Sequence, residues 1–176
     1  MVIFAGEPDS QGKAINNARA NSDDPKNIGF VKVREDFENS SYMGNGVKDD
    51  LVLSKGITES GGFFTFGGSW SEQRNAGLVW LTKYRDKNVE TAEHVKTALL
   101  SDGNILIIWQ TKADREYQNT YAMKIDANGK ILTNPVALGA HVRLYRRDDV
   151  LALGNKVLVV NGNPAEQKLE VLVLDF

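Results

Sequence analysis

The chain has no cysteine among its 176 residues. Disulfide bridges, thiolate zinc sites and cysteine nucleophiles are therefore excluded. This absence does not fix the compartment, because secreted repeat domains can also lack cysteine.

The chain also lacks an excess of charge of either sign. The chain carries 21 Lys and Arg against 23 Asp and Glu, and its formal net charge is −2. This balance gives no electrostatic case for binding nucleic acid or an anionic membrane. The apolar stretch in residues 1–6 is very short and has no basic leader, so we expect a strand there rather than a signal peptide or a membrane span.

A strand, turn and strand pattern recurs along the chain. Its best copy lies in residues 99–130, where Asp102-Gly103-Asn104 marks a tight turn between two apolar runs. Weaker copies place residues 63–66 after Gly61-Gly62, and residues 157–160 after Gly154-Asn155. Recurrence at roughly 40–50 residues is typical of β-propellers and related arrays, in which each module must stack on the next to bury its faces.

The apolar runs predict strands. No window keeps helical spacing for three turns, so the predicted fold class is all-β. Most runs are apolar on both faces, which suits strands that lie between neighbouring sheets. The predicted strands are residues 2–5, 28–33, 63–66, 77–84, 95–100, 105–110, 120–125, 157–160 and 169–174.

The repeats predict a single domain over residues 1–176, a β-propeller-like array of about four antiparallel four-stranded blades. The approximate blade boundaries are residues 1–49, 50–93, 94–146 and 147–176. With strands lettered A to D from the inside, the chain runs B-C-D, A-B-C-D twice and then A-B-C. Because open sheet edges and faces are a liability, we expect a second chain or the remaining blades to complete the ring. The alternative is that the terminal strands are assigned wrongly or that irregular segments cover the ends.

Residues 99–130 resemble the kelch-like blade repeats of secreted propeller proteins. The matching pattern is L-x-D-G, an apolar run with W-Q, a variable loop, and then Y-x-x-x-h-D-x-x-G-K, where h is apolar. Neither the Trp-Asp nor the Gly-His pair of WD40 repeats occurs. The resemblance implies a propeller-like fold and an extracellular or cell-surface location, and it implies little about activity.

The motifs that carry catalytic chemistry are incomplete. Residues 67–71 lack the last glycine of a nucleophile elbow, and residues 44–46 lack the third glycine of a dinucleotide fingerprint. His94 and His141 lie about one repeat apart, which favours equivalent structural positions over a shared metal or catalytic role. We therefore expect no catalytic residue and no cofactor.

Acidic and Asx-Gly segments predict turns rather than metal sites. The carboxylate pairs at residues 23–24, 49–50 and 148–149 could bind calcium if loops brought them together, but adjacent acids in polar loops are usually solvated. Residues 126–129 place glycine two positions too early for an EF-hand loop, so they predict a turn with Gly129 at positive φ. We expect no metal site.

Three connections between the B and C strands leave successive blades at the same end, at residues 67–76, 111–118 and 161–167. Tryptophan, tyrosine and arginine are favoured at interfaces, and a sugar would stack on the same aromatic rings. The candidate ligand-binding residues are Trp70, Arg74, Arg115, Tyr117 and Asn163. The alternative for Trp70 is packing on the adjoining blade, and Trp80 and Trp109 are assigned to the core.

The leading hypothesis is a non-enzymatic binding module in a larger propeller or surface assembly, recognising a protein or a glycan through the B–C loops. A rival is one portion of a propeller hydrolase or lyase, using Asp114 or Glu116 with Arg115 and further residues on another chain. A third hypothesis is that the chain is a structural scaffold only. The polar insert in residues 7–27 is longer than ordinary hairpin loops and has no assigned role.

Overall fold

The computed structural model describes residues 1–8, 14–15, 25–32, 62–63, 71–72, 79–163 and 166–176. In these ranges every regular element is a β-strand and every pairing is antiparallel, which confirms the all-β prediction. The same ranges hold no helix long and apolar enough to cross a membrane. The strands are β1 (Val2–Pro8), β2 (Ala14–Ile15), β3 (Asn27–Val31), β4 (Gly62–Phe63), β5 (Ser71–Glu72), β6 (Val79–Trp80), β7 (Thr91–Leu99), β8 (Ile105–Ala113), β9 (Glu116–Ile125), β10 (Val136–Ala137), β11 (Leu151–Leu153), β12 (Lys156–Asn163) and β13 (Lys168–Asp175).

The chain divides into two compact units, Met1–Lys87 and Asn88–Phe176. The first unit contains a sheet of order β2-β1-β3-β6 and a separate pair of β4 with β5. β6 lies inside the predicted second blade, yet it pairs with β3 of the first. A strand within residues 50–93 therefore pairs with a strand within residues 1–49 in one sheet.

A buried amide explains this pairing. Asn27 Oδ1 accepts hydrogen bonds from Tyr84 N at 2.6 Å and Thr82 Oγ1 at 3.0 Å, and Asn27 Nδ2 donates to Tyr84 O at 3.2 Å. Ile28 N donates to Thr82 Oγ1 at 2.8 Å. These side-chain bonds continue the hydrogen-bond ladder between β3 and residues 82–84. The apolar pattern of the sequence therefore does not reveal this pairing.

The second unit contains two sheets. Strands β7 to β10 form a four-stranded meander, and β11 to β13 form a three-stranded one. Gly103 and Gly154 turn the first hairpin of each sheet with φ of 80° and 63°, a region that glycine enters without a steric penalty. Gly129 has φ of 85° in the turn after β9, as the sequence predicts.

The two sheets of the second unit pack face to face. Leu106 and Ile108 of β8 lie in one apolar cluster with Val157 and Val159 of β12. The full set of buried residues in this cluster is Ala98, Leu100, Leu106, Ile108, Ala122, Val142, Leu144, Val157 and Val159. Trp109 is fully buried as predicted, and its ring stacks on Tyr121 at 5.8 Å between centroids.

Equivalent turns of the two sheets lie side by side. Ser101 N donates to Gly154 O at 3.1 Å, and Ser101 Oγ donates to Asn155 Oδ1 at 2.6 Å. These residues belong to the turns that the repeat alignment places at the same position. The two sheets are therefore stacked with corresponding ends together.

Candidate functional site

A connecting segment lies against both sheets of the second unit. It spans residues 138–147, between β10 and β11, and we call it the strap. Val142 and Leu144 are buried in the cluster between the sheets, while His141, Arg143 and Tyr145 are exposed. Alternate side chains of the strap therefore point to the core and to solvent, as in a strand.

Side-chain amides from β9, β12 and β8 hold the strap. Asn119 Oδ1 accepts from Gly139 N at 3.1 Å. Asn161 Oδ1 accepts from Arg143 N at 3.1 Å, and its Nδ2 donates to His141 O at 3.0 Å. An amide that accepts and donates in this way replaces the two backbone bonds of a neighbouring strand, so the part-buried strap backbone keeps its partners.

Gln110 makes the same kind of contact from β8. With its amide oriented to satisfy its partners, Oε1 accepts from Leu144 N at 2.7 Å and Nε2 donates to Leu144 O at 3.2 Å and to His94 Nδ1 at 2.8 Å. His94 has φ of 50° and lies where the β7–β8 register shifts, between Glu93 and Lys96. His94 therefore contacts Gln110, one of the amides that hold the strap.

Tyr117 joins the start of β9 to the strap. Its hydroxyl donates to Val142 O at 2.7 Å and contacts Thr120 Oγ1 at 2.9 Å. The Cζ atom of Arg143 lies 3.4 Å from the centroid of the Tyr117 ring, a cation–π contact. At this separation the guanidinium covers one face of the ring, and its N–H groups extend from the edge of its plane.

The other sequence-predicted site residues are placed by their strands and turns or lie outside the described residues. Trp70 and Arg74 are outside them. Arg115 is exposed on the β8–β9 turn, where Asp114 and Arg115 have φ of 45° and 68°. Asn163 ends β12, and its backbone pairs with Lys168.

The prediction of a loop at residues 111–118 is wrong. β8 continues to Ala113 and β9 begins at Glu116, so two residues form the connection. Residues 161–163, in the next predicted loop, belong to β12. The prediction failed because the turn uses Asp114 and Arg115 at positive φ, where hairpins of this length usually carry Asn-Gly.

The strap supplies candidate site residues that the sequence analysis did not name as such. Its exposed side chains larger than alanine are His141, Arg143, Tyr145, Arg146 and Arg147, and we call this set the strap face. A Cβ on Gly162 would lie 3.4 Å from the Tyr145 hydroxyl, so the strap face borders the end of β12. The alternation from residue 141 to 145 was the available signal, since it predicts a half-buried extended segment.

A carboxyl and a phenol form a second cluster in the same unit. Burial raises the pKa of Glu90 above its usual value of 4.5, and the nearby hydroxyl groups of Thr111 and Tyr121 oppose that shift. Burial, and next the negative charge of Glu90, raise the pKa of Tyr121. Burial and the interaction of Glu90 with Tyr121 account for both pKa shifts, so the shifts alone do not assign a catalytic role.

Within the described ranges, no group of three or more His, Asp or Glu side chains is arranged to hold a metal ion. Asp148 and Asp149 are exposed. The pairs at residues 23–24 and 49–50 lie outside the described residues.

Comparison of the chain with protein-family models, curated proteins and solved structures finds no match.

Proposed function

We propose that the chain is a non-enzymatic binding module, a propeller-like array within a larger surface assembly, that recognises a protein ligand through the strap face. The observation that carries the proposal is the stack of Arg143 on Tyr117. Arginine and tyrosine are enriched among residues that dominate binding energy, and an arginine fixed before binding loses less entropy when a ligand docks.

The chemistry of this surface favours an acidic segment of a protein. The guanidinium of Arg143 matches a carboxylate with two parallel hydrogen bonds. Arg146 and Arg147 add positive charge on the same exposed segment, and Tyr145 offers apolar area with a polar tip. Stacking a sugar on Tyr117 is less favoured, because Arg143 already covers a face of the ring.

The propeller-like arrangement is supported by the second unit. A four-stranded antiparallel meander is followed by a three-stranded one, and their faces share an apolar cluster. The contact of Ser101 with Gly154 aligns corresponding turns, as expected for modules repeated around an axis. A second chain or further blades would complete such an assembly.

The hydrolase or lyase alternative has less support. Asp114, Arg115 and Glu116 are exposed around a two-residue turn. Catalytic carboxyl groups are usually tuned by burial and by charged neighbours inside a cleft. These three residues lack that burial.

Replacing Arg143 is expected to weaken ligand binding at least about tenfold, because a central interface arginine contributes roughly 2 kcal/mol or more. Labelled full-length chain and its Arg143→Ala variant are applied to an array of acidic and neutral peptides and to a glycan array. Acidic peptides should bind best, and the variant should lose most of that signal.

Arg85→Ala provides the control, because Arg85 is also exposed but belongs to the first unit. Melting curves establish that both variants fold. Equal peptide binding by the Arg143 variant and the unaltered chain would rule out the strap face, and binding confined to the glycan array would favour the lectin reading.

A further inference from the structure

The second sheet of the second unit exposes one apolar face. Strand register places alternate residues of β11, β12 and β13 on this side, opposite Val157 and Val159. Val160 is 44% exposed and Val171 is 59% exposed. The apolar residues of this outer face are Leu151, Leu153, Leu158, Val160, Leu169, Val171 and Val173.

The repeat shows how the same face is used one module earlier. Leu106 and Ile108 follow the turn of β8 at the positions that Leu158 and Val160 occupy after the turn of β12. Leu106 and Ile108 are fully buried, because the next apolar sheet covers them. The outer face has the composition of a covered sheet face, and its equivalent in the same chain is covered by a sheet.

We propose that the outer face docks on the same face of a second copy of this chain, giving a two-fold symmetric dimer. This inference rests on the assembly part of the proposed function and specifies its partner. An apolar sheet face suits another sheet, since two sheets pack about 10 Å apart with interdigitating side chains. Within the described residues, six exposed large hydrophobic side chains lie on this face, so a second copy would supply an equally apolar surface.

The size and charge of the surface agree with a dimer. The fractional exposures of these side chains, 44–80% for six of them, correspond to an area of roughly 600 Å², at the upper end for patches on monomeric proteins. Two copies would bury roughly 1,200 Å², the lower end of the range for specific interfaces. The formal net charge of −2 opposes association little, and ion pairs of Lys156 with Asp175 and Lys168 with Glu166 place both signs at its rim.

The dimer predicts a molar mass that stops at two chains. The full chain is measured by light scattering after size exclusion and by sedimentation velocity over a wide range of concentration. Because a two-fold interface is closed, the mass should rise from one chain to two and no further. A single-chain mass at every concentration, or continued growth beyond two chains, would refute the proposal.

Val171→Lys is expected to weaken dimerisation at least about tenfold, because it places a charge from each copy in an apolar interface. Leu99→Lys is the control, since Leu99 is 65% exposed outside the outer face. Val160→Lys provides a second variant, and circular dichroism reports whether each variant folds. A dimer that survives both valine substitutions contradicts the proposed surface. If the chain stays monomeric but still binds acidic peptides, the dimer proposal is wrong and the proposed function of the strap face is retained.

Discussion

Leu106→Ala is expected to lower the free energy of unfolding of the second unit by about 2–5 kcal/mol, the usual cost of removing a buried leucine side chain. Leu106 is fully buried in the cluster between the sheets. Truncation therefore loses apolar burial and leaves a cavity that the two sheets can close only in part. Urea unfolding, followed by circular dichroism, measures the change.

Leu151→Ala is the matched control for this experiment. Leu151 pairs with Leu158 at the edge of the outer face and is 61% exposed. The same substitution there should cost less than about 1 kcal/mol in the monomer, because little area is lost from burial. Both measurements are made at concentrations where the chain is monomeric. Equal losses for the two variants would mean that the sheets do not pack as described.

Asn161→Leu is expected to destabilise the second unit by about 2–4 kcal/mol. The substitution removes the side-chain partners of Arg143 N and His141 O, which are part-buried, and leaving a desolvated polar group unsatisfied costs roughly 1–3 kcal/mol. Because the same amide positions the strap, peptide binding through Arg143 should fall together with stability. Urea unfolding and the peptide array give the two readouts.

Gln118→Leu is the control for Asn161→Leu. Gln118 is exposed and donates to Glu116 O, two residues away at 3.3 Å. A change of less than about 0.5 kcal/mol is expected, as for most surface substitutions. If Asn161→Leu behaves like this control in both stability and binding, side-chain amides do not hold the strap.

Strands with strong apolar patterns could be predicted from the sequence. Residues 105–110, 120–125 and 169–174 all lie within β8, β9 and β13. The turns at Gly103 and Gly154 could also be predicted, because glycine between apolar runs marks a backbone with positive φ. At these positions the local sequence was sufficient to predict the strand or the turn.

The strap and the pairing of β6 could not be predicted because side chains distant in sequence determine them. Asn161 lies 18 residues from Arg143, and Asn27 lies 57 residues from Tyr84. An apolar pattern records which face is buried, but it does not identify the amide that completes a ladder. For the candidate site, the sequence analysis named Tyr117 but not its stacking partner Arg143, because a cation–π contact between residues 26 apart leaves no mark on the apolar pattern.

The most direct test of the face-to-face sheets is a cysteine cross-link between their corresponding turns. Ser101 N donates to Gly154 O at 3.1 Å, so the backbones of the two turns meet beside Asn155, and the unaltered chain has no cysteine to compete. The Ser101→Cys, Asn155→Cys variant should form an intramolecular disulfide on mild oxidation, whereas Ser101→Cys with Gln118→Cys should not. Failure of the first pair to cross-link, or equal cross-linking by both pairs, would contradict the stacking of the two sheets.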